Sequence, residues 1–391
     1  MQPVTQLQQV DSRVQQWHSA RALSDHLFSL LDPAALYVRP VAERHRLIFY
    51  LGHLEAFEWN LLEGERQPID PALNRLFAFG IDPVGVGLPT DVPADWPSER
   101  TVRRYNQQVR AALDEETHSP VLLDVAIEHR LMHVETLSYL IHQLPLASKR
   151  RDAHAVLTLE GPPRRPGMIE VPDGEVTLGL PRGSAQFGWD NEFDAHTVSV
   201  PAFAIDRYKV TNGEYREFVR AGGEPPVFWK RDGERWVQRA MFEEIPLPLD
   251  WPVYVSYANA SAYAKWIGKE LPTEAEWQRA SLGALPAGNY DCDSWDPLPV
   301  TAFGPGASGI EDMHGNGWEW TSTPFAPFPG FEPFPFYPGY SVDFFDGQHF
   351  VMKGGSPRTA ARMLRPSFRN WFQPNYPYVY AGFRCVQRSL K

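Results

Sequence analysis

The feature that most constrains this chain is a change of pattern near residue 146. Before it, apolar residues recur at helical spacing. Beyond it, from Met168, short strand-like runs alternate with Gly, Pro and Asn turns. In residues 13–32 the apolar positions are Trp17, Leu23, Leu27 and Leu30–Leu31, close to a 3.6 period. Residues 42–63, 98–116 and 120–145 carry similar stripes, with Ser98 as N-cap and Pro120 as helix opener. Four such segments predict a four-helix bundle over residues 1–150, with 64–97 as one long connection. Residues 151–167, RDAHAVLTLEGPPRRPG, read as a linker. In the remainder, 168–391, helical stretches at 211–221 and 258–281 interrupt the strands, and Pro272 divides the second at Leu271–Pro272. Residues 324–340 hold six prolines among aromatics and read as an ordered loop packed on something. The fold class expected is α+β.

Composition narrows the function. The 391 residues are 43% hydrophobic and 22% charged, an ordinary globular balance for two or three domains. The net charge of −11, with no Lys/Arg block, argues against a nucleic-acid partner. No apolar run approaches the roughly 20 residues that span a bilayer, so no membrane partner is expected. The first residues lack a basic start followed by an apolar stretch, and there are only two cysteines, Cys292 and Cys385. A cytoplasmic location is the expectation. The oligomeric state is left open.

The segment 120–145 contains Glu128-His129-Arg130-Leu131-Met132-His133-Val134-Glu135. Residues four apart share a helical face, so the imidazoles of His129 and His133 project side by side and can bind one ion. His53 supplies a third ligand if its helix is a neighbour, because bundle metal sites are built from facing helices. Three neutral imidazoles leave positions open for substrate and oxygen, and suit Fe(II), Zn or Cu better than Mg or Ca. Glu55 and Glu135, each two residues past a histidine, are candidates to orient a ring. The same pattern also describes half-exposed histidines that hold no ion. In the second half, Thr273 with Glu276 has the form of a capping box, and Trp277, Trp318 and Trp320 read as core.

The segments VSYANASAYAKWIGKELPTEAEWQRAS, HGNGWEWTST, KGGSPRTA and YAGFRCV resemble the formylglycine-generating-enzyme (sulfatase-modifying factor) domain, from about Met168 to Val386. The bundle with His53 and His129-x-x-x-His133-x-Glu135 resembles a DinB-like domain. Fused in this order, the two are similar to the ergothioneine-type sulfoxide synthases over nearly the whole chain. The resemblance implies a DinB-like bundle followed by a loop-rich, C-type-lectin-like domain that forms the substrate cleft. It implies Fe(2+) on His53, His129 and His133, and the use of O2 to join a thiol sulfur to the imidazole of a histidine derivative as the sulfoxide. Relatives include ovothiol-type synthases, which take histidine, and selenoneine synthases, which join a selenosugar to hercynine.

Two departures bear on the donor. Many members carry Gln just before the second helix histidine, where this chain has Met132. Many carry an acid after Arg-Asn-Trp, where Arg369-Asn370-Trp371 is followed here by Phe372. Both remove polar contacts expected for an amino-acid thiol and tilt the reading towards a selenosugar. The cysteine pair of formylglycine-generating enzymes is absent, which argues against sulfatase maturation. The chemistry wants a tyrosine as proton or electron donor. Tyr105, Tyr337 and Tyr340 are the candidates, with Tyr376, Tyr378 and Tyr380 behind them. Arg100, Arg103 and Arg104 are placed to meet a carboxylate, or simply to face solvent. A trimethylammonium group wants aromatic faces, which the loops around 334–340 and 370–380, including Asn370, Trp371 and Phe372, offer. The expected activity is O2-dependent C–Se or C–S bond formation on hercynine. The alternatives are synthesis from cysteine or γ-glutamylcysteine, an ovothiol-type reaction on histidine, a metal-dependent binding protein without turnover, and a DinB-type thiol transferase that needs no O2.

Overall fold

The computed structural model describes residues 3–64, 66–78, 88–165, 167–284 and 287–388, with side chains described from Ser12 onward. The chain divides into two compact units, Met1–Ala153 and His154–Lys391.

The first unit is helical: α1 (Pro3–Ser29), α2 (Leu47–Leu62), α3 (Pro71–Phe77), α4 (Glu99–Asp114) and α5 (Pro120–His142). Helix α1 packs on α5, α5 on α2, and α2 on α4. From Leu47 to Trp59 every residue of α2 is buried except Phe57, which is half-buried. A helix buried all round is a central element rather than a surface one. Helix α4 is the opposite case, burying only Val102, Tyr105, Asn106, Val109 and Leu113 along one stripe. The expected caps are in place: Ser98 Oγ accepts from the Thr101 amide at 3.2 Å, and Pro120 occupies the first turn of α5.

The stretch 64–97 is not one long connection, because it contains α3. Asp70 caps that helix, accepting from the Ala72 and Leu73 amides at 3.0 Å each, and Pro71 fits the first turn. Seven residues are too few for an apolar period to show, so only this cap marks the helix in sequence. Residues 79–87 of the same stretch lie outside the described residues.

The second unit carries twelve short strands and three α-helices among its described residues. Strands β1 (Met168–Val171), β4 (Phe203–Asp206) and β12 (Val386–Arg388) form one sheet, with Ile205 opposite both Ile169 and Val386. Strands β2 (Gly174–Leu178) and β3 (His196–Val200) form a hairpin-like pair, and β5 (Trp229–Asp232), β6 (Arg235–Arg239) and β7 (Glu244–Pro246) a third sheet. The largest sheet runs β10 (Asn370–Phe372), β9 (Phe350–Lys353), β8 (Trp318–Pro324), β11 (Ala381–Gly382). Helices α6 (Asn212–Arg220), α7 (Tyr257–Trp266) and α8 (Glu274–Ser281) complete the unit, the last two separated around Pro272. Helix α8 opens on the expected Thr273–Glu276 capping box and packs on β2, β3, β8 and β9. Its Trp277 joins Val176, Phe203, Ile205, Ile310 and Val386 in one apolar cluster. Trp318 and Trp320 are also buried.

The segment read as a linker is divided: Asp152 meets His26 of the first unit at 2.7 Å, and from His154 on the chain belongs to the second unit. The buried Trp251 indole donates to the Thr158 carbonyl at 2.7 Å, and Thr301 Oγ1 donates to the Pro162 carbonyl at 2.9 Å. A buried indole N–H needs an acceptor, and this stretch of backbone supplies it. The proline-rich loop 324–340 is packed through its rings: Phe325 lies on Trp371 at 4.1 Å and Tyr340 on Trp189 at 3.9 Å. Among the described residues no helix is long and apolar enough to cross a membrane.

Candidate metal centre

Helix α2 presents His53, and α5 presents His129 and His133 one turn apart. All three are buried, with one ring nitrogen from each within 4.8 Å of the others. The Nε2 atoms of His129 and His133 lie 3.2 Å apart. Two nitrogens each about 2.1 Å from a shared ion sit roughly 3.0–3.4 Å apart for angles between a right angle and tetrahedral. The observed separation falls in that interval. Burial lowers the His53 pKa to about 4, opposed by its bond to the Phe77 backbone. Burial also lowers His129 and His133 well below the usual imidazole range, with neighbouring imidazoles adding to the effect. Three neutral, desolvated imidazoles have their lone pairs available, which is the protonation state a metal needs.

The surroundings hold the rings. His53 Nδ1 lies 2.8 Å from the Phe77 carbonyl oxygen. A carbonyl can only accept, so Nδ1 carries the proton and Nε2 is left to ligate. The His129 ring lies flat on Phe57, centroids 3.4 Å apart and 8° from parallel. Phe49 stacks on His53 at 4.9 Å. The His133 Nδ1 is buried without a hydrogen-bond partner among the described residues. The arrangement suits a nitrogen-liganded transition metal better than Mg or Ca.

Glu55 does not orient an imidazole. It is buried and bound to Arg130 at 2.8 Å and Arg110 at 2.6 Å. Burial alone would push its pKa up, but the two guanidinium charges outweigh that and hold it well below the usual carboxylate range. The carbonyl of Phe77, on a helix that the apolar pattern does not reveal, takes the orienting role instead.

Gly52 allows this. Any side chain there would fall inside the Phe77 ring. We expect Gly52→Ala to push α3 away, taking with it the carbonyl that orients His53. Loss of such an outer partner lowers metal affinity by about 10–100-fold. Metal titration checks this, and wild-type affinity in the variant would contradict it.

The other sequence candidates fall into three groups. Tyr105, buried on α4, donates to Asn74 Oδ1 at 3.2 Å and touches the Phe77 ring; burial, with Glu55 and Asp70, raises its pKa. Arg100, Arg103 and Arg104 are exposed on α4, and Arg103 is already paired with Glu99 at 2.7 Å. Met132 is half-buried on α5. In the second unit, Tyr337 and Tyr340 lie 5.5 Å apart, and burial, with Asp190 nearby, pushes the Tyr337 pKa up to about 12. Tyr340 meets Trp371 edge-on at 5.4 Å, and Phe372 stacks on Tyr376 at 5.2 Å, with Tyr378 edge-on to Tyr376. Asn370 Oδ1 accepts from the Trp371 amide at 2.9 Å. Tyr380 is buried against Tyr254.

Comparison with known proteins covers most of the chain. The sulfatase-modifying factor enzyme 1-like domain family matches residues 156–389. A protein of Mycolicibacterium thermoresistibile named hercynine oxygenase is 36% identical, across 87% of this chain and 86% of that protein. Its namesake from Mycolicibacterium smegmatis is 34% identical, across 88% and 93%. Ergothioneine biosynthesis protein 1 of Neurospora crassa is 27% identical, across 92% of this chain and 55% of that protein.

Proposed function

The chain belongs to the ergothioneine-type sulfoxide synthase family, and on that premise we propose that it uses Fe(II) and O2 to join a chalcogen to the imidazole ring of hercynine. The observation that carries this reading is the convergence of three neutral histidines within 4.8 Å in a chain that spans most of its hercynine oxygenase relatives. His53, His129 and His133 would hold the ferrous ion. Bound there, iron supplies the means to reduce O2 and favours the anionic, nucleophilic form of the chalcogen.

The overall balance is simple. A ring C–H and a chalcogen–H bond are lost and a carbon–chalcogen bond forms. One oxygen atom of O2 ends on the chalcogen and the other leaves as water. A tyrosine hydroxyl delivers the proton, and Tyr105, Tyr337 and Tyr340 are its candidates. Burial pushes the Tyr337 pKa up to about 12, which keeps the hydroxyl protonated at neutral pH and makes it a weaker acid than an exposed tyrosine. The rings of Trp371, Phe372 and Tyr376 are the aromatic candidates for a trimethylammonium group through the faces that Phe325 and their own stacking leave uncovered, and Asn370 Oδ1 holds the Trp371 amide.

The donor we favour is a selenosugar, with cysteine or γ-glutamylcysteine as the alternative. An amino-acid thiol brings an ammonium and a carboxylate, whose desolvation requires partners. The stretch 370–380 carries no acid, Phe372 is engaged with Tyr376, and Met132 is apolar. Of the three arginine candidates for a carboxylate, Arg100 and Arg104 are exposed on α4, and Arg103 is held by Glu99. A missing charged partner costs roughly 1–3 kcal/mol, about 5–150-fold. With hercynine saturating, we expect kcat/KM for a selenosugar to exceed that for either thiol by at least about tenfold. Product mass and oxygen uptake, measured side by side with Fe(II)-loaded protein, test both levels. Equal or better turnover of cysteine would make the enzyme a thiol-using member of its family. No oxygen uptake with any donor would overturn the reaction itself.

A further inference from the structure

Beside the histidines lies a second buried cluster, made of charges. Arg130, 1% exposed on α5, spans two carboxylates of α2. It donates to Glu55 at 2.8 Å and 3.2 Å, to Glu58 at 2.6 Å, and to the Leu54 carbonyl at 3.3 Å. Both glutamates are also gripped from other helices. Arg21 of α1 donates twice to Glu58, at 3.0 Å and 2.8 Å. Arg110 of α4 donates twice to Glu55, at 3.0 Å and 2.6 Å. Four helices therefore meet on two buried carboxylates.

Stability is a weak reason for such a cluster. Taking these ions out of water costs much of what their attraction returns, and apolar replacements of similar volume are often no less stable. What buried ion pairs do well is select one arrangement over its neighbours. A slip of one residue between α2 and α5 amounts to about 1.5 Å of translation and 100° of rotation, and α2, apolar on nearly every side, discriminates less against it than a helix with one apolar stripe. The Arg130 fork does not, since it must meet Glu55, Glu58 and a backbone carbonyl at once. Glu55 lies two residues after His53, and Arg130 directly follows His129. A functional constellation must be held within roughly 0.5 Å, a tolerance that a one-residue slip exceeds.

We propose that Glu55, Glu58 and Arg130 form the register lock of the metal centre, holding α2 against α5 so that His53 meets His129 and His133. These are positioning residues. The inference rests on the reading that the three histidines bind a metal.

The test uses the full chain and Co(II), whose ligand-field absorption reports both occupancy and coordination geometry. In the triple variant Glu55→Met, Glu58→Met, Arg130→Met, Arg21 keeps Asp114 at 2.7 Å and Arg110 keeps Asp25 at 2.6 Å. We expect the metal-free triple variant to unfold within about 5 °C of wild type or above it. Its Co(II) affinity should fall at least about tenfold, with a changed spectrum. A folded triple variant with wild-type affinity and spectrum would overturn the proposal. If the triple variant does not fold, Glu58→Gln decides, because it keeps the shape while its amide NH2 replaces one of the two acceptor oxygens, so that only one of the two arginines keeps its bond. A changed spectrum with at least about threefold weaker Co(II) binding supports the lock. Weaker binding with an unchanged spectrum means charge rather than position, and overturns it, as does unchanged binding. Wild-type protein that binds no Co(II) would overturn the metal reading first, and the lock with it.

Discussion

Alanine at His53, His129 or His133 is expected to remove bound metal and turnover together. The three ring nitrogens lie within 4.8 Å of one another, so a site built on them has no spare member. Changes to outer partners alone cost about 10–100-fold in affinity, so loss of a ligand should exceed 100-fold. Metal content after dialysis and oxygen uptake with hercynine both measure it. Full occupancy in any one variant would remove that residue from the ligand set.

The same histidines make the metal-free protein sensitive to acid. Unfolded, each imidazole binds a proton below about pH 6.5. Folded, His53 does so only below about 4, and the other two are also lowered. Between these values the unfolded state holds more protons, so stability rises with pH across the window and is complete above 6.5. Metal-free protein should therefore lose stability as pH falls from 6.5 towards 4, with up to three protons taken up on unfolding. The triple alanine variant should show a flatter profile.

The second large effect is expected in the loop-rich unit. Glu319, between Trp318 and Trp320 on β8, is wholly buried and binds Arg384 at 2.6 Å and Lys209 at 3.2 Å. Burial pushes its pKa up, but Arg384 and Lys209 together bring it below the usual range. Glu319→Ala removes the anion that two buried cations share, leaving Arg384 with carbonyl acceptors alone and Lys209 with the Asp312 carboxylate at 3.7 Å. Breaking a buried pair in this way costs about 3–5 kcal/mol. For a unit of this size that is roughly 6–20 °C in Tm. Thermal unfolding of the full chain measures it, and a loss under about 1 kcal/mol would mean that the pair is solvated rather than sealed.

Much of the fold is legible in the linear chain because it is local. Ser98, and Thr273 with Glu276, mark helix starts through bonds made within one turn, and Pro120 does so through its fixed φ and missing N–H. Pro272 separates α7 from α8 because the ring cannot continue a helix. The aromatic density of 324–340 signals packing, although which rings meet, Phe325 with Trp371 and Tyr340 with Trp189, is set by distant segments. Helix α3 escaped notice because its seven residues are too short for a period. The composition of 151–167 is that of a linker, whereas the carbonyls of Thr158 and Pro162 serve Trp251 and Thr301.

The candidate site divides along the same line. That His129 and His133 share a face follows from the helical repeat, so sequence by itself determined that pair. It also determined the caps, the apolar stripes and the order of the two halves, since each depends on residues a few positions apart. Tertiary structure alone decided that His53 joins the pair, that the Phe77 carbonyl orients it, and that Gly52 leaves room for that contact. It likewise turned Glu55 away from the histidines towards Arg130 and Arg110. These contacts join residues on different helices, and their geometry exists only once α2 is packed among α3, α4 and α5.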